Sequence, residues 1–253
     1  MPYDALVATL RTAGCVFAED EARVLTEAAV DDAELTAMTA RRVAGEPLEL
    51  VVGFAELCGI RVAVAPGVFV PRQRSSALVR AAAVGLSADD IAVDLCCGTG
   101  ALGAALLAVV PGLEVYAADV DPDAVACARL NLPVGRVFEG DLYAALPDDL
   151  RGRVTALVVN APYVPTDEIA LMPPEARDHE HRVALDGGAD GLDVQRGVIA
   201  GASEWLAPHG RLLIETSVAQ APLTAALMTA AGLAAAVVRD DDVDGTMVIG
   251  LRP

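Results

Sequence analysis

A chain of 253 residues with 54% apolar content is long enough for one sizeable α/β domain with a small appendage. Its formal charge of −18, from 36 acidic against 18 basic residues and with no lysine, disfavours a protein that grips a phosphate backbone. No apolar run approaches the roughly 20 residues of a membrane-spanning helix. The start, Met1-Pro2-Tyr3-Asp4, lacks the pattern of a secretory signal, so a soluble cytoplasmic protein is expected.

Residues 3–13, 19–29 and 31–42 carry apolar positions three and four apart and read as helices, with Gly14, Asp20, Asp31 and Asp32 as breaks and caps. Ile60, Val62 and Val64 then alternate with Arg61, Ala63 and Ala65. "APG" (65–67) turns the chain into "VFV" (68–70), which reads as a β-hairpin. A helix is expected over 76–84. From residue 90 strands alternate with helices: IAVDL (91–95), helix 102–109, EVYAAD (114–119), helix 122–131, GRVFEG (135–140) and TALVVN (155–160). A long loop to residue 190 follows, then helix 193–206, RLLIET (211–216), helix 220–231, AAAVVRD (234–240) and GTMVIGLR (245–252). This rhythm predicts an α/β fold, a doubly wound seven-stranded and mostly parallel sheet with helices on both faces. The last strand follows a short turn and should run antiparallel. Residues 1–47 form the expected N-terminal helical domain, 48–72 a β-hairpin linker, and 73–253 the α/β domain.

"DLCCGTGALG" (94–103) follows the first strand and opens a helix, with Gly98, Gly100 and Gly103 in a G-x-G-x-x-G spacing and Asp119 closing the next strand. On spacing alone this satisfies a dinucleotide fingerprint. The charges argue otherwise. Asp94, Asp119, Asp121, Asp123 and Asp141 crowd the strand ends, whereas a pyrophosphate needs N–H groups without carboxylates nearby. S-adenosyl-L-methionine, with a sulfonium, an ammonium, a ribose diol, an adenine and no phosphate, fits that pattern. Asp94 suits the cationic end, directly or through water, Asp119 the ribose hydroxyls and Asp141 the adenine amino group. Cys96, Cys97, Gly98, Thr99, Gly100 and Leu142 complete the expected cofactor site. Asp121 and Asp123 read as helix caps. Cys96 and Cys97 read as loop fillers, since no base lies nearby in sequence. The five cysteines lack CxxC spacing and read as reduced thiols. His179-Glu180-His181 has only His209 as a further histidine, and no metal is expected.

With "DLCCGTG", "AADVDPDA", "EGDL" and "NAPY" in order, the chain resembles class I S-adenosylmethionine-dependent methyltransferases. More specifically it resembles the protein-(glutamine-N5) methyltransferases of HemK/PrmC type. The likeness continues in "RRVAGEPLE", "GVFVPR", "LMPPEARDHE", "ALDGGADGLD" and "LLIETS". It implies a Rossmann-like catalytic domain behind a helical domain and hairpin. It also implies transfer of a methyl group to the side-chain amide of glutamine in a protein such as a peptide chain release factor. Four departures stand out: Ala161 for the family's proline, Gln73-Arg74-Ser75-Ser76 for its acidic run, Cys96 for the first glycine of the loop, and a shorter helical region.

In this setting Asn160, Ala161, Pro162 and Tyr163 are the expected substrate-binding residues, with Asn160 and Tyr163 catalytic and Asn160 also bordering the cofactor. An amide nitrogen is a poor nucleophile, so alignment is the main task. The Asn160 side-chain oxygen and the carbonyl of Ala161 can accept its two N–H bonds. Pro162 restricts Ala161 to extended backbone, and Tyr163 covers the amide plane. Arg72 is a candidate partner for the cofactor carboxylate. Loop 173–182, with Glu175 and Glu180, is a candidate wall of the cleft. The same motif handles other planar amines, so a nucleic-acid adenine or small-molecule N-methyltransferase stays open, as does a catalytically silent cofactor-binding protein. The acidic charge disfavours the first of these.

Overall fold

The computed structural model describes all 253 residues. Three helices, α1 (Tyr3–Thr12), α2 (Ala18–Ala28) and α3 (Asp32–Val43), fold on one another through Leu6, Leu10, Leu25 and Leu35. Asp31 caps α3 by accepting the Glu34 N–H at 2.8 Å, and the Glu34 carboxylate returns to the Val30 N–H at 2.7 Å. A short helix, α4 (Leu48–Val52), occupies the start of the expected linker. Pro47 precedes it and Gly53, at φ 83°, ends it in the left-handed region. Its two valines gave no helical signal of their own.

The hairpin exists, with different strands from those expected. β1 (Phe54–Leu57) pairs antiparallel with β2 (Ile60–Ala63) across Cys58 and Gly59, both at positive φ. The segment 68–70 is not its partner. Gly67 instead lies beside loop 173–182, accepting the His181 N–H at 2.6 Å and donating to the His179 carbonyl at 3.1 Å. That turn of two left-handed residues closes the hairpin before "APG" is reached.

Beyond α5 (Ser76–Ala83) the sheet is built from β3 (Ile91–Leu95), β4 (Glu114–Asp119), β5 (Val137–Glu139), β6 (Val154–Val159), β7 (Leu206–Glu215), β8 (Ala234–Asp240) and β9 (Gly245–Leu251). The spatial order is β5-β4-β3-β6-β7-β9-β8, with β9 antiparallel to both neighbours and the rest parallel. α6 (Ala101–Val109) and α7 (Pro122–Asn131) cover one face with α5, burying Ala92, Val115, Ala117 and Val158. α9 (Asp193–Trp205) and α10 (Ala221–Ala230) cover the other, over Val93, Leu95, Leu157 and Val159. α8 (Pro174–Arg177) is a single turn in the long loop. Burial on both faces explains the nearly continuous apolar strands.

Register fixes where chemistry can gather. Leu95 lies opposite Val159 on one side and Ala118 on the other, and Val159 lies opposite Ile214. One residue further along, Asp119, Cys96, Asn160 and Glu215 therefore stand in a row at the carboxyl edge of β4, β3, β6 and β7. Parallel α/β sheets place their ligands at this edge.

Candidate active site

A cavity of about 180 Å³ opens over that row. At one end its wall is the loop after β3: Cys96, Cys97, Gly98 and Thr99. Cys96 (φ 58°) and Gly98 (φ 54°) both adopt left-handed backbone, and a Cβ on Gly98 would meet nothing closer than 4.0 Å. Gly98 thus serves the turn and leaves room above it. Gly100 stands outside the wall. A Cβ there would meet Leu132 at 2.8 Å, so this glycine lets α7 approach the loop.

The three acids expected at the cofactor differ. Asp119 is largely buried; its carboxylate accepts the Gly98 N–H at 2.8 Å and the Asp121 N–H at 3.0 Å, and it lines the cavity. Burial pushes its carboxyl upward. Exposed Asp141 and half-buried Leu142, the latter at φ 46°, lie at the rim. Asp94 requires a correction, because it does not reach the wall. It is fully buried behind the loop, where it accepts the Gly103 N–H at 2.9 Å and its Oδ1 has no partner. Burial, with the Asp119 charge adding to it, raises this carboxyl from 3.8 to about 8. Burial also holds the Cys96 and Cys97 thiols up and neutral.

At the other end stand Asn160, Ala161, Pro162, Tyr163 and Val164. Ala161 is buried, and its carbonyl accepts none of the chain's backbone hydrogen bonds. The Tyr163 carbonyl accepts from Gln220 Nε2 at 2.9 Å, and its hydroxyl accepts from Arg74 Nη2 at 2.7 Å. Arg74 also donates through Nε to Glu215 at 3.1 Å, and Asn160 Nδ2 donates to the Ser75 hydroxyl at 3.5 Å. Arg74 is the one basic residue in a wall that also holds Asp119, Asp121 and Asp141. Phe69, Pro71, Met172, Leu185 and Val194 supply apolar surface. Sequence reasoning missed Arg74, Ser75, Glu215 and Gln220 as partners of the motif. The only signal was the "QRSS" departure.

Loop 173–182 is tied down at three points. Buried Glu180 accepts the Val70 N–H at 3.2 Å and an Arg72 N–H at 2.5 Å. Arg72, which also lies over the Phe69 ring, is therefore spent away from the cavity rather than on a cofactor carboxylate. Glu175 pairs with Arg42 at 2.9 Å, joining the loop to α3. His181 Nδ1 lies 2.7 Å from Asp121, whose other oxygen caps α7 through the Asp123 N–H. His179, Glu180 and His181 do not converge: Glu180 points to Arg72 and His181 to Asp121.

Residues 59–172 match the Methyltransferase small domain family model. A release factor glutamine methyltransferase from Streptomyces coelicolor is 40% identical over 190 residues, covering 73% of this chain and 67% of the relative. One from Cereibacter sphaeroides is 36% identical over 251 residues, covering 90% and 88%. The chain belongs to the release factor glutamine methyltransferase family. It is a methyltransferase, with the class I fold. A solved methyltransferase from Pyrococcus furiosus superimposes with a TM-score of 0.57 over 77% of this chain and 89% of that one; at 14% identity the likeness is one of fold.

Proposed function

We propose that this methyltransferase uses S-adenosyl-L-methionine to methylate N5 of a glutamine side chain in a protein substrate, a peptide chain release factor, in the cytoplasm. The observation that carries this reading is the two-ended cavity, with backbone and carboxylates at one end and Asn160 and Tyr163 at the other. The residues present fit the cofactor. Asp119 and Asp141 offer acceptors and negative charge, no cation lies at that end, and the orphaned Asp94 Oδ1 is a buried polar atom behind the loop. Cys96, Cys97, Gly98, Thr99 and Leu142 would hold it as well. When bound, the cofactor supplies an electrophilic methyl group.

The chain's part is alignment. Asn160 Oδ1 and the free Ala161 carbonyl are two acceptors for the two N–H bonds of a carboxamide, fixing its plane. Tyr163, held at both its carbonyl and its hydroxyl, covers that plane and excludes water. Such orientation contributes up to about 7–11 kcal/mol in favourable reactions. No residue is assigned as a base, since an N-methylated amide cation sheds its proton readily. Ala161 serves as well as proline here because the contact is a backbone one. The helical domain 1–47 and hairpin linker 48–72 form the platform on which the protein substrate rests, ahead of the catalytic domain 73–253. No helix is long and apolar enough to cross a membrane.

The deciding experiment incubates the protein with methyl-labelled cofactor and release factor, with a Gln→Glu release-factor variant and bulk RNA alongside. Label in the release factor that disappears with the glutamine supports the reading. Label in RNA, or none, overturns it.

A further inference from the structure

Glu215 ends β7 level with Asn160, one residue beyond the Val159–Ile214 pair. It is 2% exposed, yet it is a carboxylate at the edge of a cavity it does not line. Oε1 accepts from Arg74 Nε at 3.1 Å. Oε2 is buried with no hydrogen-bond partner, and burial pushes this carboxyl upward, with the nearby Ser75 hydroxyl and Arg74 opposing the rise. An ionised carboxylate can only accept. Two arms lead outward from it, one past Ser75 to Asn160 and one through Arg74 to Tyr163.

On the first arm, a Ser75 proton turned to Glu215 leaves the Ser75 oxygen as an acceptor for Asn160 Nδ2, at 3.5 Å. With Nδ2 turned to Ser75, Oδ1 stands on the other branch of the Asn160 amide as its acceptor. On the second arm, Arg74 can only donate, and its Nη2 takes the Tyr163 phenol oxygen at 2.7 Å. The phenol proton is then uncommitted. A carboxamide needs this combination, with acceptors for its N–H bonds and a donor for its carbonyl.

Resting on the assignment of Asn160 and Tyr163 to the acceptor, we propose that Glu215 is a positioning residue. It fixes the direction of the Ser75 hydroxyl beside the Asn160 amide, and it holds Arg74 where the guanidinium donates to the Tyr163 oxygen and leaves the phenol proton free. Glu215→Gln keeps the shape and packing but gives one oxygen position two N–H donors, which opposes one arm. Ser75→Ala cuts the Asn160 arm alone, and Ser75→Thr keeps the hydroxyl.

Three measurements on the full chain test this: the Asn160 side-chain amide resonance in ligand-free protein, assigned by its loss in Asn160→Asp; S-adenosylhomocysteine affinity; and single-turnover transfer to the release factor. Glu215→Gln and Ser75→Ala should both shift the Asn160 resonance and slow transfer at least about tenfold, with cofactor affinity held within about twofold. Ser75→Thr should restore both signals. An unmoved resonance in both variants, or a transfer loss matched by an equal loss of cofactor affinity, overturns the proposal. Should Glu215→Gln not fold, Ser75→Ala against Ser75→Thr decides by the same criteria. The resonance is read without substrate, so it judges Glu215 even if the release factor is not the acceptor.

Discussion

The two ends of the cavity are built in different ways. At the cofactor end each wall segment follows directly on its own strand, and the Asp119–Gly98 bond spans 21 residues between neighbouring strands. At the acceptor end the bonds are long-range: Arg74 to Glu215 spans 141 residues, Arg74 to Tyr163 spans 89 and Asn160 to Ser75 spans 85. The first end relies on backbone donors and strand register, which tolerate side-chain change. The second depends on side chains from three segments whose bond directions constrain one another. Substitutions at the second end should therefore damage transfer without damaging binding, and those at the first should do the reverse.

Asn160→Ala should give the largest effect. Removing a preorganised polar group from a reacting centre costs about 10²–10³ in rate, and here it removes one of two acceptors that hold the amide. Calorimetry should find S-adenosylhomocysteine binding close to wild type, while labelled-methyl transfer falls by that factor. Turnover at the wild-type rate would remove Asn160 from the mechanism. Asp119→Ala should give the mirror image and a smaller effect. Cofactor affinity should fall about 10- to 100-fold, because an acidic acceptor is lost and the Gly98 and Asp121 N–H groups lose their partner. Saturating cofactor should recover most of the transfer rate. A variant that binds normally but does not turn over would reverse the assignment of the two ends.

That contrast also explains what was legible in the sequence. β3, β4 and α7 could be read to within a residue because apolar runs, turn glycines and the Asp121-Pro122 helix start are local signals. The glycine loop and Asp119 could be read for the same reason. α4 could not, since its five residues carry two valines and no periodicity. "VFV" stays outside the hairpin, because an extended apolar triplet does not say which strand it will meet. The position of Asp94 before the glycines suggests a ligand contact but says nothing of depth, and the structure puts it behind the loop. Glu215 and Arg74 gain their meaning only when β7 is placed beside β6, which sequence spacing does not encode.

Asp94 supplies a third and smaller effect, confined to the cofactor end. Its carboxyl stands at about 8 in the folded chain against an ordinary 3.8. Between those values the folded chain holds a proton that the unfolded chain has released, so this group's contribution to stability falls as pH rises from about 4 to about 8 and is level above that. Asp94→Asn still offers an oxygen to the Gly103 N–H but cannot ionise. Thermal melts should show the variant gaining a few degrees over wild type at pH 9, with the gap closing toward pH 4. A gap of constant size across that range would mean that burial of the charge is not its source.

Cys96 should give the smallest effect, and it separates backbone from side chain within the loop. Its φ of 58° lies where a non-glycine residue is strained by about 1–2 kcal/mol, and glycine removes that strain but forfeits about 0.5–1 kcal/mol of unfolded-chain entropy. Cys96→Gly should therefore stabilise by less than about 1 kcal/mol, reduced further by lost packing against the core beneath the loop. Cys96→Val keeps an apolar side chain but adds β-branching to a left-handed residue, and it should destabilise by more than about 1 kcal/mol. Urea midpoints at constant slope measure both. Opposite signs locate the constraint in the backbone, as expected of an end built from loop geometry. Equal shifts would locate it in the thiol and make this end as dependent on side chains as the other.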